Sequence, residues 1–159
     1  MIELTASQEA AAPTEFIFDQ ARRFRNFANQ ARQNGARVRR REPDPESGRG
    51  LRWEVAISFQ GLQREFTLEL LERRPPDLLR FGIESPSVEG EFRVDFTALG
   101  PGRCRVDVAL ALRPRTLRAR LVMQGLRLSQ GRMLRGLQRR LAAAVERAET
   151  AYAEGQRQD

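Results

Sequence analysis

Hydrophobic and polar residues alternate in repeated short runs within the first 112 residues. In residues 2–10, for example, Ile2 and Leu4 alternate with Glu3 and Thr5. A period of two is typical of a β-strand whose two faces lie in different environments. The alternating runs cover residues 2–10, 53–59, 65–70, 79–83, 92–97 and 103–112, with a weaker run at 36–42. Repeated alternation of this kind predicts an antiparallel sheet with one polar face and one apolar face.

A segment whose apolar residues have helical spacing lies between the first predicted strand and the others. Pro13 suits the first turn of a helix, and the acidic Glu15 favours the positive end of the helix dipole. Apolar residues then recur at helical intervals until Asn34-Gly35, a pair that commonly ends a helix. The spacing is compatible with one helix or with two short ones.

An apolar stripe with helical spacing runs along the C-terminal part of the chain. At about 100° per residue, one face collects Met123, Leu126, Met133, Leu134, Leu137, Leu141, Ala144, Val145, Ala148 and Tyr152. The arginines of this segment lie mostly toward the opposite side. The pattern predicts a long amphipathic helix that covers the apolar face of the sheet and leaves its arginines in solvent.

Three leucines do not fit this stripe: Leu117, Leu121 and Leu128. They lie together on the side where the later arginines project, so one straight helix cannot bury both sets. Either the chain breaks near Gly125, or the leucines form a second, exposed apolar patch. We favour the break, with a short helix at about 115–124 and a long helix from about 126, because glycine weakens a helix interior.

The surroundings of these three leucines are basic. Exposed leucines among arginines are typical of a segment that docks on an anionic membrane surface or on a partner protein. A dimer formed through the leucines is a further alternative. The predicted contact residues are Leu117, Leu121, Leu128, Arg115, Arg118, Arg120 and Arg127.

Length and composition indicate a single globular domain. The chain has 159 residues, of which 40% are hydrophobic, and this is enough for one core. We expect the domain to span residues 1–154 and residues 155–159 to be frayed. The formal charge of +7 arises in residues 113–159, which hold eleven Arg and four acidic residues. The chain has no Lys, which indicates a coding preference for Arg as much as a need for guanidinium groups.

The residue types most used in catalysis are scarce. The chain has no His, and Cys104 is its only cysteine, so a Cys–His nucleophile and an intramolecular disulfide are excluded. We predict no catalytic residue, no metal site and no cofactor, and we lean against an enzyme without excluding one. The arginines are not interleaved with exposed aromatic residues, which disfavours nucleic acid as a partner. With no signal peptide and no apolar run of about 20 residues, the expected location is the cytoplasm.

The opening sequence IELTASQEAAAPTEFIF and the order of the predicted elements resemble the START-like superfamily, also called SRPBCC, which includes polyketide cyclases and lipid-transfer domains. The resemblance runs from Ile2 to about Tyr152 and looks greatest for bacterial members. The segment RRFRNFANQARQNGARV departs from the Asp- and Trp-containing pattern often found after the first helix. The resemblance implies an α+β helix-grip fold. This is a curved antiparallel sheet of about six or seven strands around a long C-terminal helix, with short helices after the first strand.

The resemblance also implies a function. Superfamily members often hold an apolar ligand between the sheet and the long helix, so binding or transport of a hydrophobic small molecule or lipid is the leading hypothesis. A polyketide cyclase-like enzyme and a basic docking module are the alternatives. The implied cavity would be lined by Trp53, Val55, Phe66, Leu68, Phe81, Ile83, Phe92, Val94, Val106, Val108, Met133, Leu134 and Leu137. The same residues would equally form an ordinary packed core.

Two polar residues fall in apolar registers. Arg64 is in phase with Phe66, and Gln130 lies near the centre of the helix stripe. One interpretation is that both contact the polar headgroup of a ligand. The other is that Gln130 bonds a neighbouring backbone group and that Arg64 extends its guanidinium into water at a strand end. The sequence identifies neither the ligand nor the oligomeric state.

Overall fold

The computed structural model describes residues 1–59 and 61–158. The strands of this part are β1 (Ile2–Ala10), β2 (Arg37–Arg41), β3 (Arg52–Phe59), β4 (Leu62–Arg74), β5 (Leu78–Glu84), β6 (Val88–Gly100) and β7 (Arg103–Pro114). The helices are α1 (Thr14–Ala21), α2 (Phe24–Gln33), α3 (Leu117–Leu126) and α4 (Gln130–Gln158). A 3-10 turn at Arg127–Ser129 joins α3 to α4.

The strands form one antiparallel sheet in the order β1-β7-β6-β5-β4-β3-β2. Strands β2 to β7 follow one another as neighbours, and β1 pairs with β7 at the far edge. The predicted alternation is confirmed: in β1, for instance, Ile2 and Leu4 are buried while Glu3 and Thr5 are exposed. With helices near the N-terminus and a long helix at the C-terminus, the α+β helix-grip fold is confirmed.

Strands β6 and β7 approach each other closely at Gly90 of β6. Gly90 lies between Ile83 of β5 and Leu112 of β7 in the ladder, on the apolar face. A Cβ atom at this position would collide with the backbone oxygen of Ala111 and lie 2.8 Å from a methyl carbon of Leu112. The contact between β6 and β7 therefore requires the absence of a side chain at Gly90.

The segment after β1 forms two helices rather than one. Pro13 precedes the first residue of α1, and Glu15 lies in its first turn, as expected for a helix N-terminus. After α1 ends, Phe24 begins α2 and packs edge-on against Trp53, with 5.1 Å between ring centroids. Helix α2 thus covers the apolar face of β3.

The C-terminal segment divides as predicted into a short and a long helix, but not at Gly125. Gly125 lies inside α3, and the division falls at the 3-10 turn Arg127–Ser129. Leu126 and Gln130 on either side of the turn keep right-handed helical dihedral angles, so the chain tightens without changing direction sharply. The exposed apolar patch, which is the alternative to a break, is present as well: Leu117, Leu121 and Leu128 are 71%, 60% and 93% exposed.

The predicted stripe of α4 is buried or half-buried except at one position. Leu141, Val145 and Ala148 are buried, whereas Ala144, at the edge of the stripe, is exposed. Helix α4 continues to Gln158, past the predicted domain end at residue 154, and that boundary stays a prediction. Among the described residues, no helix combines the length and the apolar character required to cross a lipid bilayer.

Candidate ligand-binding site

The apolar side of the sheet carries two hydrophobic clusters. The larger cluster lies under α1, α2 and the second half of α4, and it contains Trp53 and Phe81. The smaller cluster contains Ile2, Leu4 and Met123, where α3 and the start of α4 meet the beginning of β1. Leu137 of α4 packs against both clusters, so it marks the place where they meet.

The predicted lining residues separate into two groups by exposure. Seven of them are buried in the core: Trp53, Val55, Leu68, Phe81, Val94, Val106 and Val108. Six others are half-buried: Phe66, Ile83, Phe92, Met133, Leu134 and Leu137. The first group forms the packed interior beneath α1 and α2, and the second group is open to contact from outside. Direct ligand contact by any of them stays a prediction.

The half-buried residues gather at one end of the sheet. In β5, Leu79 and Phe81 are buried, and exposure begins at Ile83. In the opposite direction along β6, Val94 is buried and exposure begins at Phe92. Because the strands are antiparallel, these changes occur side by side, at the end of the sheet where β1 begins. We call this half-open region the inner groove: Phe66, Ile83, Phe92, Leu110, Leu112, Met133, Leu134 and Leu137.

Two groove residues, Leu110 and Leu112, were not among the predicted lining residues. Both continue the alternation of β7, so the sequence carried a signal for them. Leu110 pairs with Leu4 and Leu112 pairs with Ile2 across the β1–β7 ladder. Their half-exposure depends on where α4 crosses the sheet, which the alternation does not indicate.

Gln130 ties the beginning of α4 to β1. Its side-chain Nε2 donates a hydrogen bond of 3.2 Å to the backbone oxygen of Glu3. This contact corresponds to the second of our two interpretations, in which Gln130 bonds a neighbouring backbone group. It holds the first turn of α4 beside the groove, whereas contact with a ligand stays a prediction.

Arg64 lies on the same face of β4 as Phe66, opposite Ile57 of β3. Its guanidinium Nε is buried and has no hydrogen-bond partner among the described residues. A buried donor without a partner costs about 1–3 kcal/mol. The Nε atom is shielded from water and is available to an acceptor that enters this end of the apolar face, and both interpretations of Arg64 stay predictions.

The outer face of the sheet carries a separate, polar depression of about 300 Å³. Its charged lining is internally paired, as in the 3.1 Å contact between Arg49 and Glu69. A second depression, of about 350 Å³, lies beside α3. No residue of α4 lines either depression, so an enclosed cavity between the sheet and α4 stays a prediction.

Cys104 lies in the apolar register of β7 and is fully buried. Burial raises the pKa of its thiol, and the negative charges of Glu15 and Glu149 act in the same direction. The neutral thiol is a weak nucleophile, so Cys104 behaves as a small apolar core residue. Within residues 1–59 and 61–158, no three side chains of His, Cys, Asp and Glu are grouped so as to hold a metal ion.

Cys104 in the folded protein is expected to react with iodoacetamide at least about 100-fold more slowly than in urea, because both burial and the raised pKa suppress the thiolate. Mass spectrometry of timed samples at pH 8 measures both rates. Rapid alkylation under native conditions would show that β7 is accessible and would contradict this assignment.

Solved structures of several bacterial proteins are similar to the chain. A START superfamily protein from Mycobacterium smegmatis matches with a TM-score of 0.61 at 17% identity, over 95% of this chain and 99% of that one. A protein from Thermus thermophilus matches with a TM-score of 0.68 at 18% identity, over 94% and 98%. The Zhui aromatase/cyclase from a Streptomyces species matches with a TM-score of 0.66 at 13% identity, over 92% and 93%. At these identities the likeness establishes the fold alone.

The amino-acid sequence identifies the family more specifically than the fold does. No curated protein matches the chain. A family model described as polyketide cyclase / dehydrase and lipid transport matches residues 1–146, which is most of the chain and includes the seven strands and the first half of α4. The chain therefore belongs to the polyketide cyclase / dehydrase and lipid transport family, as its START-like pattern of strands and helices predicted.

Proposed function

We propose that the protein binds a hydrophobic small molecule or lipid in the inner groove, between the sheet and the first turns of α4. The family description, which includes lipid transport, supports a ligand of this class. The observation that carries the proposal is the change from buried to half-exposed residues along single apolar registers, as from Phe81 to Ile83. The exposed apolar surface would be covered by a ligand.

The energetic reason is the hydrophobic effect. Each Å² of apolar surface removed from water contributes about 25 cal/mol, and half-buried side chains such as Phe92 and Leu134 still present such surface. Both residues extend the packed core outward, so a ligand would join an existing apolar cluster. Pockets for small molecules are typically apolar with a few polar groups placed to orient the ligand.

Arg64 supplies such a polar group. It lies two residues from Phe66 on the same face, which is about 7 Å along a strand. Because its buried Nε has no partner among the described residues, an anionic or carbonyl oxygen would satisfy it, and a charge-assisted bond is stronger than a neutral one. We therefore expect the ligand to combine an apolar body with an acidic or carbonyl group.

Titration with a fluorescent fatty acid, dansylundecanoic acid, and with its methyl ester tests both parts of the proposal. The wild type is expected to bind the acid at least about fivefold more tightly than the ester, since a charged hydrogen bond contributes about 1.5–3 kcal/mol. Leu134→Trp fills the groove and is expected to weaken both probes by about tenfold or more, a loss of about 1.4 kcal/mol. Arg64→Met is expected to remove the preference for the acid while leaving ester binding.

Leu99→Trp is the matched control, because Leu99 is exposed on β6, outside the groove. Unchanged affinity in Leu134→Trp would place the probe elsewhere and contradict the groove. A preference for the acid that survives in Arg64→Met would remove Arg64 from the site. If neither probe binds and native mass spectrometry detects no co-purifying ligand, the proposed function is wrong.

A further inference from the structure

Helix α3 and the 3-10 turn that follows it present leucines to solvent along one side. Ala119 and Met123 of α3 are buried against the sheet, whereas Leu117, Leu121 and Leu128 are mainly exposed. At about 100° per residue, the three leucines fall within a sector of about 40°, nearly opposite the buried residues. We call this row the leucine ridge: Leu117, Leu121 and Leu128. These three side chains therefore do not contribute to the core. Large exposed apolar residues in one row commonly mark a contact surface.

Arginines border the leucine ridge on both sides. On the same helical projection, Arg120 and Arg127 lie on one side of the ridge and Arg118 on the other. None of these three arginines forms an ion pair with a carboxylate of the described residues, in contrast to Arg115, which approaches Glu84 at 3.5 Å. The surface of α3 is thus basic as well as apolar.

The basic character extends well beyond α3. From residue 108 to residue 145 the sequence contains nine arginines and no acidic residue. After the 3-10 turn, Arg132, Arg135 and Arg139 are exposed on α4. A partner for this surface must therefore supply negative charge over an extended area.

The depression of about 350 Å³ adjoins the leucine ridge. Arg113, Arg120 and Arg127 line it together with Met1 and Met123. Of these arginines only Arg113 approaches a described carboxylate, at 3.7 Å from Glu89. Guanidinium groups that converge on one depression favour a phosphate, because a guanidinium donates two parallel hydrogen bonds to phosphate oxygens.

We propose that the leucine ridge docks on the surface of a bilayer that contains anionic phospholipid, with a headgroup phosphate in the depression lined by Arg113, Arg120 and Arg127. The leucines enter the boundary between headgroups and acyl chains, and the arginines remain at the level of the phosphates. The inference does not depend on a ligand in the inner groove. Docking in this way brings α3 next to the lipid. Met123 of α3 belongs to the same hydrophobic cluster as the first residues of β1.

The charge and the apolar character of this surface favour a membrane over a second copy of the chain or a nucleic acid. In a symmetric dimer, the ridge of one copy would bring its unpaired arginines against those of the second copy, and no acidic residue of this segment would compensate them. A nucleic acid would satisfy the arginines but would leave three leucines without an apolar partner. An anionic bilayer supplies phosphate at its surface for the arginines and hydrocarbon just beneath the phosphates for the leucines.

Co-sedimentation with two kinds of vesicle tests the proposal. The wild type is expected to bind vesicles of equal parts phosphatidylcholine and phosphatidylglycerol at least about tenfold more tightly than vesicles of phosphatidylcholine alone, and to lose this preference at high salt. The triple variant Leu117→Ser, Leu121→Ser, Leu128→Ser is expected to bind the mixed vesicles at least about tenfold more weakly. Arg120→Gln with Arg127→Gln is expected to reduce the preference for the anionic vesicles.

Matched variants elsewhere on the surface serve as controls. Leu71→Ser with Leu99→Ser removes exposed leucines outside the ridge, and Arg37→Gln with Arg39→Gln removes exposed charge from the edge strand β2. Both are expected to bind as the wild type does, and circular dichroism confirms that every variant is folded. Equal binding to the two kinds of vesicle, no binding, or unchanged binding by the triple variant overturns the proposal. A dimer that dissociates in the triple variant, seen by size-exclusion chromatography, would assign the ridge to a second copy instead.

Discussion

Phe81→Ala is expected to lower the free energy of unfolding by about 3–5 kcal/mol, the usual cost of removing a buried phenylalanine. Phe81 is 8% exposed and lies at the centre of an aromatic group. Its ring centroid is 5.8 Å from that of Phe24 and 6.3 Å from those of Trp53 and Phe92. The substitution removes both the burial of the ring and its contacts with three neighbours, and the surrounding helix and strands can close only part of the void.

Urea unfolding followed by the fluorescence of Trp53, the only tryptophan, and by circular dichroism measures this loss. Leu99→Ala is the control, because Leu99 is exposed and its truncation is expected to change stability by no more than about 0.5 kcal/mol. A loss below about 1 kcal/mol in Phe81→Ala would mean that the interior beneath α2 is not packed as described. It would also reopen the possibility that the buried lining residues surround a cavity.

Gly90→Ala is expected to destabilise the protein by about 3 kcal/mol, at the upper end of the usual cost of overpacking. The added methyl group would collide with the backbone oxygen of Ala111, and a backbone atom cannot rotate away as a side chain can. Relief requires β6 and β7 to separate, which weakens the hydrogen bonds between them.

Gly136→Ala is the matched comparison for this prediction. Gly136 lies within α4, and a Cβ atom there would meet nothing within 4 Å. Alanine in a helix interior is more favourable than glycine by about 1 kcal/mol, so this variant is expected to be more stable than the wild type. The two glycine substitutions should therefore shift the urea midpoint in opposite directions. A stabilising effect of Gly90→Ala would show that the close approach of β6 to β7 is absent.

The strands were predictable because their signal is present at each position. In β3 and β7, every second residue is apolar, as the burial of one face of the sheet requires, and the sequence shows this directly. Strand β2 gave a weak signal, because it lies at the edge of the sheet and pairs with β3 alone. Val38 is the one large apolar residue of β2. The position of β2 in the sheet is therefore set by its backbone pairing with β3 rather than by the burial of side chains.

The candidate site was predictable only in outline. Phe66 and Val94 have the same period and the same chemical character, yet the first is half-buried and the second is buried. The difference arises because α1 and α2 cover one part of the apolar face, and α4 packs mainly against β1 and α1. No pattern within a strand indicates where a distant helix will lie across it.

In the C-terminal segment, too, the local pattern predicted the helical face of each residue but not its burial. The helical projection separated Leu117, Leu121 and Leu128 from the main stripe, and this followed from angle alone. Whether the chain would break to bury them depended on an available surface. The chain divides into two helices at the 3-10 turn without turning these leucines inward, and Leu128 is left 93% exposed.

The sequence by itself determined the elements of this protein, the face of each that is apolar, the basic character of residues 108–145 and the absence of a Cys–His nucleophile. Only the tertiary structure decided which apolar residues form the core and which line the inner groove, that Gln130 holds α4 to Glu3, and that the Nε of Arg64 is buried without a partner among the described residues. The physical reason is that periodicity is a property of neighbouring residues. Burial and hydrogen bonding depend on segments such as α2 and α4 that are distant in the chain and meet the sheet only when the protein folds.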